Sequence, residues 1–500
     1  MPVFRTLLVA SLLALTGCAA HRAPTTSTTA PSRPVRELDV DLARVFGAPI
    51  MQRGVWAVDV TSMATGEHLY RLNADRWMMP ASNLKILTVA AAAETLGWDY
   101  RFKTTLEAHG PIDAGVLRGD LIVRSNGDPT INARNTRATA VFQEWRTAIA
   151  AAGITSIEGR IIGDDQAFDD EGIGAGWAWD YLQYDYAAPV GALELNESAA
   201  TLLVSPGSDP GAPAIVSLSP GSGFTLLNGA TTGATGSPDT IGYRRRADAP
   251  ALEVSGSVPA GAATSQHSVA VVNPTIFFVR SLKGALVGAG IPVSGDAVDL
   301  DDVAPELQMS GATQGRPLAS TESPPLREIA TVLMKVSQNL YAETLLKALG
   351  AAQGGLGTAE GGRLAVRAVL AKWGVPDDAY TMYDGSGLSR YNYLTAGTLT
   401  AVLEHMYKDP RHKDAFLSTL PIAGQDGTLA SRLDHTRAKG NARAKTGSIS
   451  NVRALSGFVR TRDEEVLAFS ILANDFAIPS ATVNYAADLA VEILSNFTRH

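Results

Sequence analysis

The chain is almost without cysteine. Cys18 is the only one in 500 residues, which excludes an internal disulfide and any zinc site built on several thiolates. The eight histidines form no His-Glu-x-x-His pair, so neither a metal nor a cofactor is expected. Beyond the N-terminus no segment approaches the roughly 20 apolar residues needed to cross a membrane. Positive charge is scarce as well: 42 Lys and Arg stand against 50 Asp and Glu, a net charge of −8. Nucleic acid is therefore not an expected partner, nor is an anionic membrane surface gripped by a basic helix. What is present is globular. Hydrophobic residues make up 45% of a chain too long for a single core, and two or three domains are expected.

The first residues, MPVFRTLLVASLLALTGCAA, carry Arg5, an apolar run from Leu7 to Leu15, and then Gly17 and Cys18. The run is too short to span a bilayer and reads as a secretory signal. Leu15-Thr16-Gly17-Cys18 resembles the lipobox of bacterial lipoproteins, which implies cleavage after residue 17 and lipidation of Cys18. The Thr-, Pro- and Ala-rich stretch over residues 18–37 then serves as a flexible tether. Membrane contact is expected through the lipid alone, on the periplasmic side and at the outer membrane.

Regular structure is expected from Leu38. Trp56, Val58 and Val60 alternate in GVWAVDVTSMATGEHLYRLN, a hairpin pattern. A helix follows Pro80 and Ser82 and ends at Gly97. Residues 100–300 are rich in turns and short strands and read as inserted β-rich domains. Leu326, Ile329, Leu333 and Val336 mark a helical face. ARAKTGSI, VRALSGFVRT and EVLAFSILAN read as three strands before a last amphipathic helix. The expected fold is α+β: one antiparallel sheet flanked by helices, formed by residues 38–99 and 301–500 and interrupted by the insertion.

Three motifs occur once each, in order: Ser82-x-x-Lys85, Ser337-Gln338-Asn339 and Lys445-Thr446-Gly447-Ser448. About one chance Ser-x-x-Lys is expected in such a chain, and a serine there could be no more than a helix cap. The three together point to acyl transfer. A serine hydroxyl needs a base, and Lys85 lies one helical turn beyond Ser82 on the same face. To act as base its amine must be neutral, far below its ordinary pKa of about 10.4. Burial and a nearby cation, Lys445, would both press it down. Backbone N–H groups of Ser82 and Ser448 could hold an oxyanion. Ser337 could pass a proton to the leaving amine and Asn339 could position substrate. Lys445, Thr446 and Ser448 suit a substrate carboxylate.

This set, Ser-x-x-Lys, Ser-x-Asn and Lys-Thr-Gly, is that of the penicillin-binding proteins and class A β-lactamases, with Gln338 where Ser-Asp-Asn has aspartate. The chain resembles the class C low-molecular-mass penicillin-binding proteins, the D-Ala-D-Ala carboxypeptidases that can also act as endopeptidases. SNGDPT (125–130), GWAWDYLQYDYAAPVGALELNES (176–198), YDGSGLSRYN (383–392) and GQDGTLASR (424–432) look like landmarks of that family. So does the long interval between Lys85 and Ser337. The resemblance implies an acyl-enzyme on Ser82, peptidoglycan stem peptides as substrate and β-lactam antibiotics as trapping ligands. It also implies that Arg390 and an aspartate of the insertion read the far end of the substrate. By position these are Asp164, with Phe168 nearby, although the adjacent Asp165 fits equally. Two alternatives stay open on the residues: a serine β-lactamase or esterase on the same scaffold, and a non-catalytic wall- or β-lactam-binding lipoprotein.

Overall fold

The computed structural model describes residues 32–303 and 315–499. The signal segment and Cys18 lie outside the described residues. Among the described residues no helix is long and apolar enough to cross a membrane.

A five-stranded antiparallel sheet organises the chain's two ends. Its order is His68–Leu72, Val55–Ser62, Val466–Asn474, Val452–Arg460, Arg443–Ile449. The N-terminal hairpin is thus stitched to the C-terminal meander through Val55–Ser62 and Val466–Asn474, in register from Val55 opposite Asn474 to Ser62 opposite Leu467. Alternation sorts the side chains of the central strand. Leu467, Phe469 and Ile471 face a core shared with the first and last helices, Arg33–Phe46 and Ser480–Asn496. Ala468 and Leu472 face the opposite core, around the buried helix Lys85–Thr95. Both sheet faces are therefore covered, and such a strand reads as an almost unbroken apolar run.

Residues 33–37, expected as tether, are helical. Val35, Leu38, Leu42 and Phe46 form one buried stripe on Arg33–Phe46, and Pro34 sits in its first turn. Proline is tolerated there because its missing N–H would have no partner in any case; in the sequence it reads as a linker residue.

The chain leaves this body near Tyr100 and returns beside the same point, where Leu326 N donates to Tyr100 O at 2.8 Å. Between them lie two β bodies. The first is a mixed sheet ordered Ala297–Asp299, Ile161–Asp164, Asp120–Ser125, Lys103–His109, Arg316–Glu322. The last of these strands lies past residue 300, so the sheet of the insertion extends to Glu322. Two helices, Arg137–Ala151 and Pro274–Gly288, fill its core with Trp145 and Phe278. The second body is a set of short strands around Leu202, Val204, Leu252 and Val258.

Phe469 is fully buried in the middle of the central sheet. Phe469→Ala is expected to cost about 3–5 kcal/mol, read as a lower denaturant midpoint for the unit holding the central sheet. An unchanged midpoint would mean that this strand does not carry the core.

Candidate active site

The segment carrying Ser82 is a short 3-10 turn, Ala81–Leu84, that runs directly into the helix Lys85–Thr95. The N-cap positions of the two segments are Pro80 and Leu84, so Ser82 stands at neither. Its Oγ instead meets Lys85 Nζ at 2.9 Å. The Lys85 amine is fully buried and has two more partners, Asn339 Oδ1 at 2.5 Å and the Ser386 carbonyl at 2.7 Å. A neutral amine has two N–H groups and one lone pair. Asn339 and Ser386 take the two N–H groups, which leaves the lone pair for the Ser82 hydroxyl.

The other two motifs converge on this point. Asn339 opens the helix Asn339–Ala351, and its Nδ2 donates to Tyr186 O at 2.6 Å. Ser337 precedes that helix with φ of +63°, a conformation few non-glycine residues adopt. Lys445, fully buried on the edge strand Arg443–Ile449, donates to Ser337 Oγ at 2.9 Å and to Thr446 O at 2.6 Å. Thr446 Oγ1 is held by Thr428 at 2.7 Å. Ser82, Ser337, Asn339, Thr446 and Ser448 line one cleft of about 640 Å³, walled by Tyr181 and Tyr186 from the insertion.

Close backbone approach makes this convergence possible. A Cβ on Gly447 would come within 2.8 Å of Pro80 O, so the edge strand can lie against the Ser82 turn only without a side chain there. Gly387 is more constrained still: φ is +86° and a Cβ would fall 1.8 Å from Ala81 O.

Electrostatics follows from burial. Lys85 is lowered to about 7 by desolvation, against the opposing pull of Asp384 and Glu343. Lys445 is held well below its ordinary value, first by desolvation and then by the charge of Lys85. Burial is thus the leading cause at both amines; the lowering of Lys85 by Lys445 expected from the sequence is not among the influences on Lys85, and the coupling is seen at Lys445 instead. Glu343 is raised to about 7 by burial and by Asp384. The two carboxylates also build the loop that carries Ser386. Glu343 accepts from Gly385 N and Ser386 N at 2.9 and 2.8 Å. Asp384 accepts from Gly387 N, Ser389 N, Asn392 Nδ2 and Trp177 Nε1. Neither carboxylate is among the site residues expected from the sequence. The run YDGSGLSRYN and a lone glutamate on an apolar helix were the available signals.

Arg390 reaches the cleft's rim, where Nη2 donates to Ser450 O at 3.1 Å. Asp164 and Phe168 do not line that cleft. Asp164 pairs with Arg124 at 2.6 Å in a separate open cleft of the inserted sheet. Phe168 is buried beneath Gly127 and Gly357, with the Lys347 ammonium 5.9 Å from its ring. Asp165 does not supply the missing group either. It is pushed up to about 6 by burial, accepts from Thr275 Oγ1 and faces Asp299 and Asp301. Glu94, Asp409 and His412 bring possible metal ligands together among the described residues, but Glu94 is already engaged by Lys372, Arg411 and His412.

Residues 38–494 match the D-Ala-D-Ala carboxypeptidase 3 (S13) family. The D-alanyl-D-alanine carboxypeptidase of Actinomadura sp. (strain R39) is 35% identical over 457 residues, covering 89% of this chain and 82% of that protein. The crystal structure of penicillin binding protein 4 from Haemophilus influenzae superposes with a TM-score of 0.78 at 24% identity, over 92% of this chain and 99% of the other. The same H. influenzae protein complexed with a novel β-lactam gives 0.73 at 23% identity, with the same coverage. These structures share the fold.

Gly387→Ala is expected to force the 384–392 loop off Ala81 and to break the Ser386–Lys85 hydrogen bond. A crystal structure of the variant would read this directly. A loop that stays in place, with Lys85 still bonded to Ser386, would refute the close-approach argument.

Proposed function

The chain belongs to the D-Ala-D-Ala carboxypeptidase 3 (S13) family, and from that membership we propose that Ser82 is the nucleophile of a serine carboxypeptidase acting on peptidoglycan stem peptides. The observation that carries this reading is the 2.9 Å contact between Ser82 Oγ and the fully buried amine of Lys85. Lys85 takes the hydroxyl proton as Ser82 Oγ attacks the carbonyl of the penultimate D-alanine. The backbone N–H groups of Ser82 and Ser448 stabilise the oxyanion. The C–N bond then breaks as the proton taken by Lys85 is relayed through the Ser337 hydroxyl to the departing amine, and free D-alanine leaves. Water cleaves the ester, restoring the Ser82 hydroxyl and releasing the shortened peptide.

Thr446, Ser448 and the Lys445 ammonium bind the terminal carboxylate. That carboxylate favours the charged form of Lys445. A β-lactam follows the same first step, but its amine stays tied to the acyl group and cannot leave the cleft. The proposed ligand chemistry agrees with the β-lactam complex of the H. influenzae protein. The signal-like run before Cys18 supports export and lipidation at that residue, with the enzyme facing the wall from the outer membrane.

Ser82→Ala is expected to lower release of D-alanine from a stem-peptide substrate by at least roughly 10³-fold. In the wild-type protein, mass spectrometry after penicillin treatment is expected to find the adduct on Ser82. The rate constant for acylation should fall as pH drops below about 7, because the amine that must accept the hydroxyl proton is then already protonated. An adduct elsewhere, or an acylation rate flat through neutral pH, would overturn the assignment of Ser82 and Lys85.

A further inference from the structure

Gln338 stands between Ser337 and Asn339, and both ends of its amide are in use. Its Oε1 accepts from Leu340 N at 3.0 Å and so caps the helix Asn339–Ala351. Its Nε2 donates to Glu197 Oε2 at 2.7 Å. The two partners fix the amide's orientation, since one must donate and the other accept. Glu197 belongs to the insertion and is itself clamped: Arg134 Nε and Nη2 donate to its two oxygens at 2.6 and 3.2 Å.

The backbone beneath Glu197 is unusual. Asn196, Glu197 and Ser198 have φ of +50°, +59° and +51°, three successive side-chain-bearing residues in the left-handed region. Such conformations persist only where their surroundings impose them, and they gather at functional sites. Here the turn aims one carboxylate at the middle of a catalytic motif. A second tie runs parallel to the first. Asn132 receives Arg134 N on its Oδ1 and donates from Nδ2 to Tyr341 Oη, in the first turn of the same helix.

We propose that Glu197, held by Arg134, is a positioning residue for acylation: through Gln338 it keeps the strained Ser337 against Lys445 and Asn339 against Lys85. Ser337 at φ +63° would relax if the residue after it were released. Its Oγ would then leave Lys445, and Asn339 Oδ1 would leave the Lys85 amine. The pairing also accounts for glutamine at this position. An aspartate, as in Ser-Asp-Asn, has no N–H to donate and would set carboxylate against carboxylate. The inference rests on the reading of Ser82 as nucleophile.

The test measures acylation of the full chain by a chromogenic penicillin, separating the maximal acylation rate from the saturation constant. Gln338→Glu keeps the capping oxygen but opposes Glu197. It is expected to slow maximal acylation on the order of tenfold, as a small misplacement of catalytic groups does, with little change in the saturation constant. Adding Glu197→Gln exchanges donor and acceptor and should return the rate to within about twofold of wild type. Glu197→Ala alone, which leaves the cap intact, should show the same slowing and serves if Gln338→Glu does not fold. Wild-type rates in both single variants, or a double variant as slow as Gln338→Glu, would overturn the inference. Absence of a Ser82 adduct in the wild type would instead overturn the reading on which it rests.

Discussion

An amine kept dry is the constraint on which the site depends. Lys85 is fully buried, and taking an ammonium out of water without a counter-ion in contact is costly. The fold therefore favours the uncharged form and gives it a fitted environment: two acceptors for two hydrogens, Asn339 Oδ1 and Ser386 O, and one hydroxyl for the lone pair. Much of the surrounding structure serves that arrangement. Glu343 and Asp384 shape the loop that presents the Ser386 carbonyl. Gly387 lets this loop press on the Ser82 turn, and Gly447 lets the edge strand do so from the other side. The same carboxylates pull the amine back toward charge, so a value near 7 reflects burial outweighing attraction.

Closing the sheet brings parts far apart in sequence to one cleft. The Ser82 turn follows the N-terminal hairpin, the edge strand with Lys445 belongs to the C-terminal meander, and register between Val55–Ser62 and Val466–Asn474 holds the two ends together. The insertion contributes to the same cleft, although its chain leaves and rejoins the body at one point. Tyr186 O fixes Asn339, Trp177 Nε1 binds Asp384, and Glu197 meets Gln338. Through these contacts the inserted bodies join the support of the site, which a freely attached appendage would not do.

How much of this the sequence disclosed depended on the kind of signal. The three motifs and the alternating strands at both ends were legible because residue type and short spacing carry them, and the structure brings Ser82, Lys85, Ser337, Asn339 and Lys445 together. Asp164 and Phe168 were assigned by position within a long insertion, where spacing carries no geometry. One is committed to Arg124 and the other to packing beneath Lys347. The start of the first helix was hidden for a similar reason, since Pro34 looks the same in a tether and in a first helical turn. Glu343, Asp384 and Glu197 were passed over because their work is done through backbone amides and through another side chain, with no motif to announce it.

The two buried amines also differ in company, and the difference gives them separate tasks. Lys85 has Asp384 and Glu343 near enough to oppose its loss of charge. The influences on Lys445 both lower it: desolvation and the charge of Lys85. Lys445 is thus the amine with more to gain from an arriving anion. Lys85 faces the hydroxyl and has its hydrogens engaged elsewhere. An anionic ligand beside Thr446 and Ser448 would stabilise charge at Lys445, and its own negative charge would offset that ammonium as felt at Lys85, which leaves the base governed by its burial.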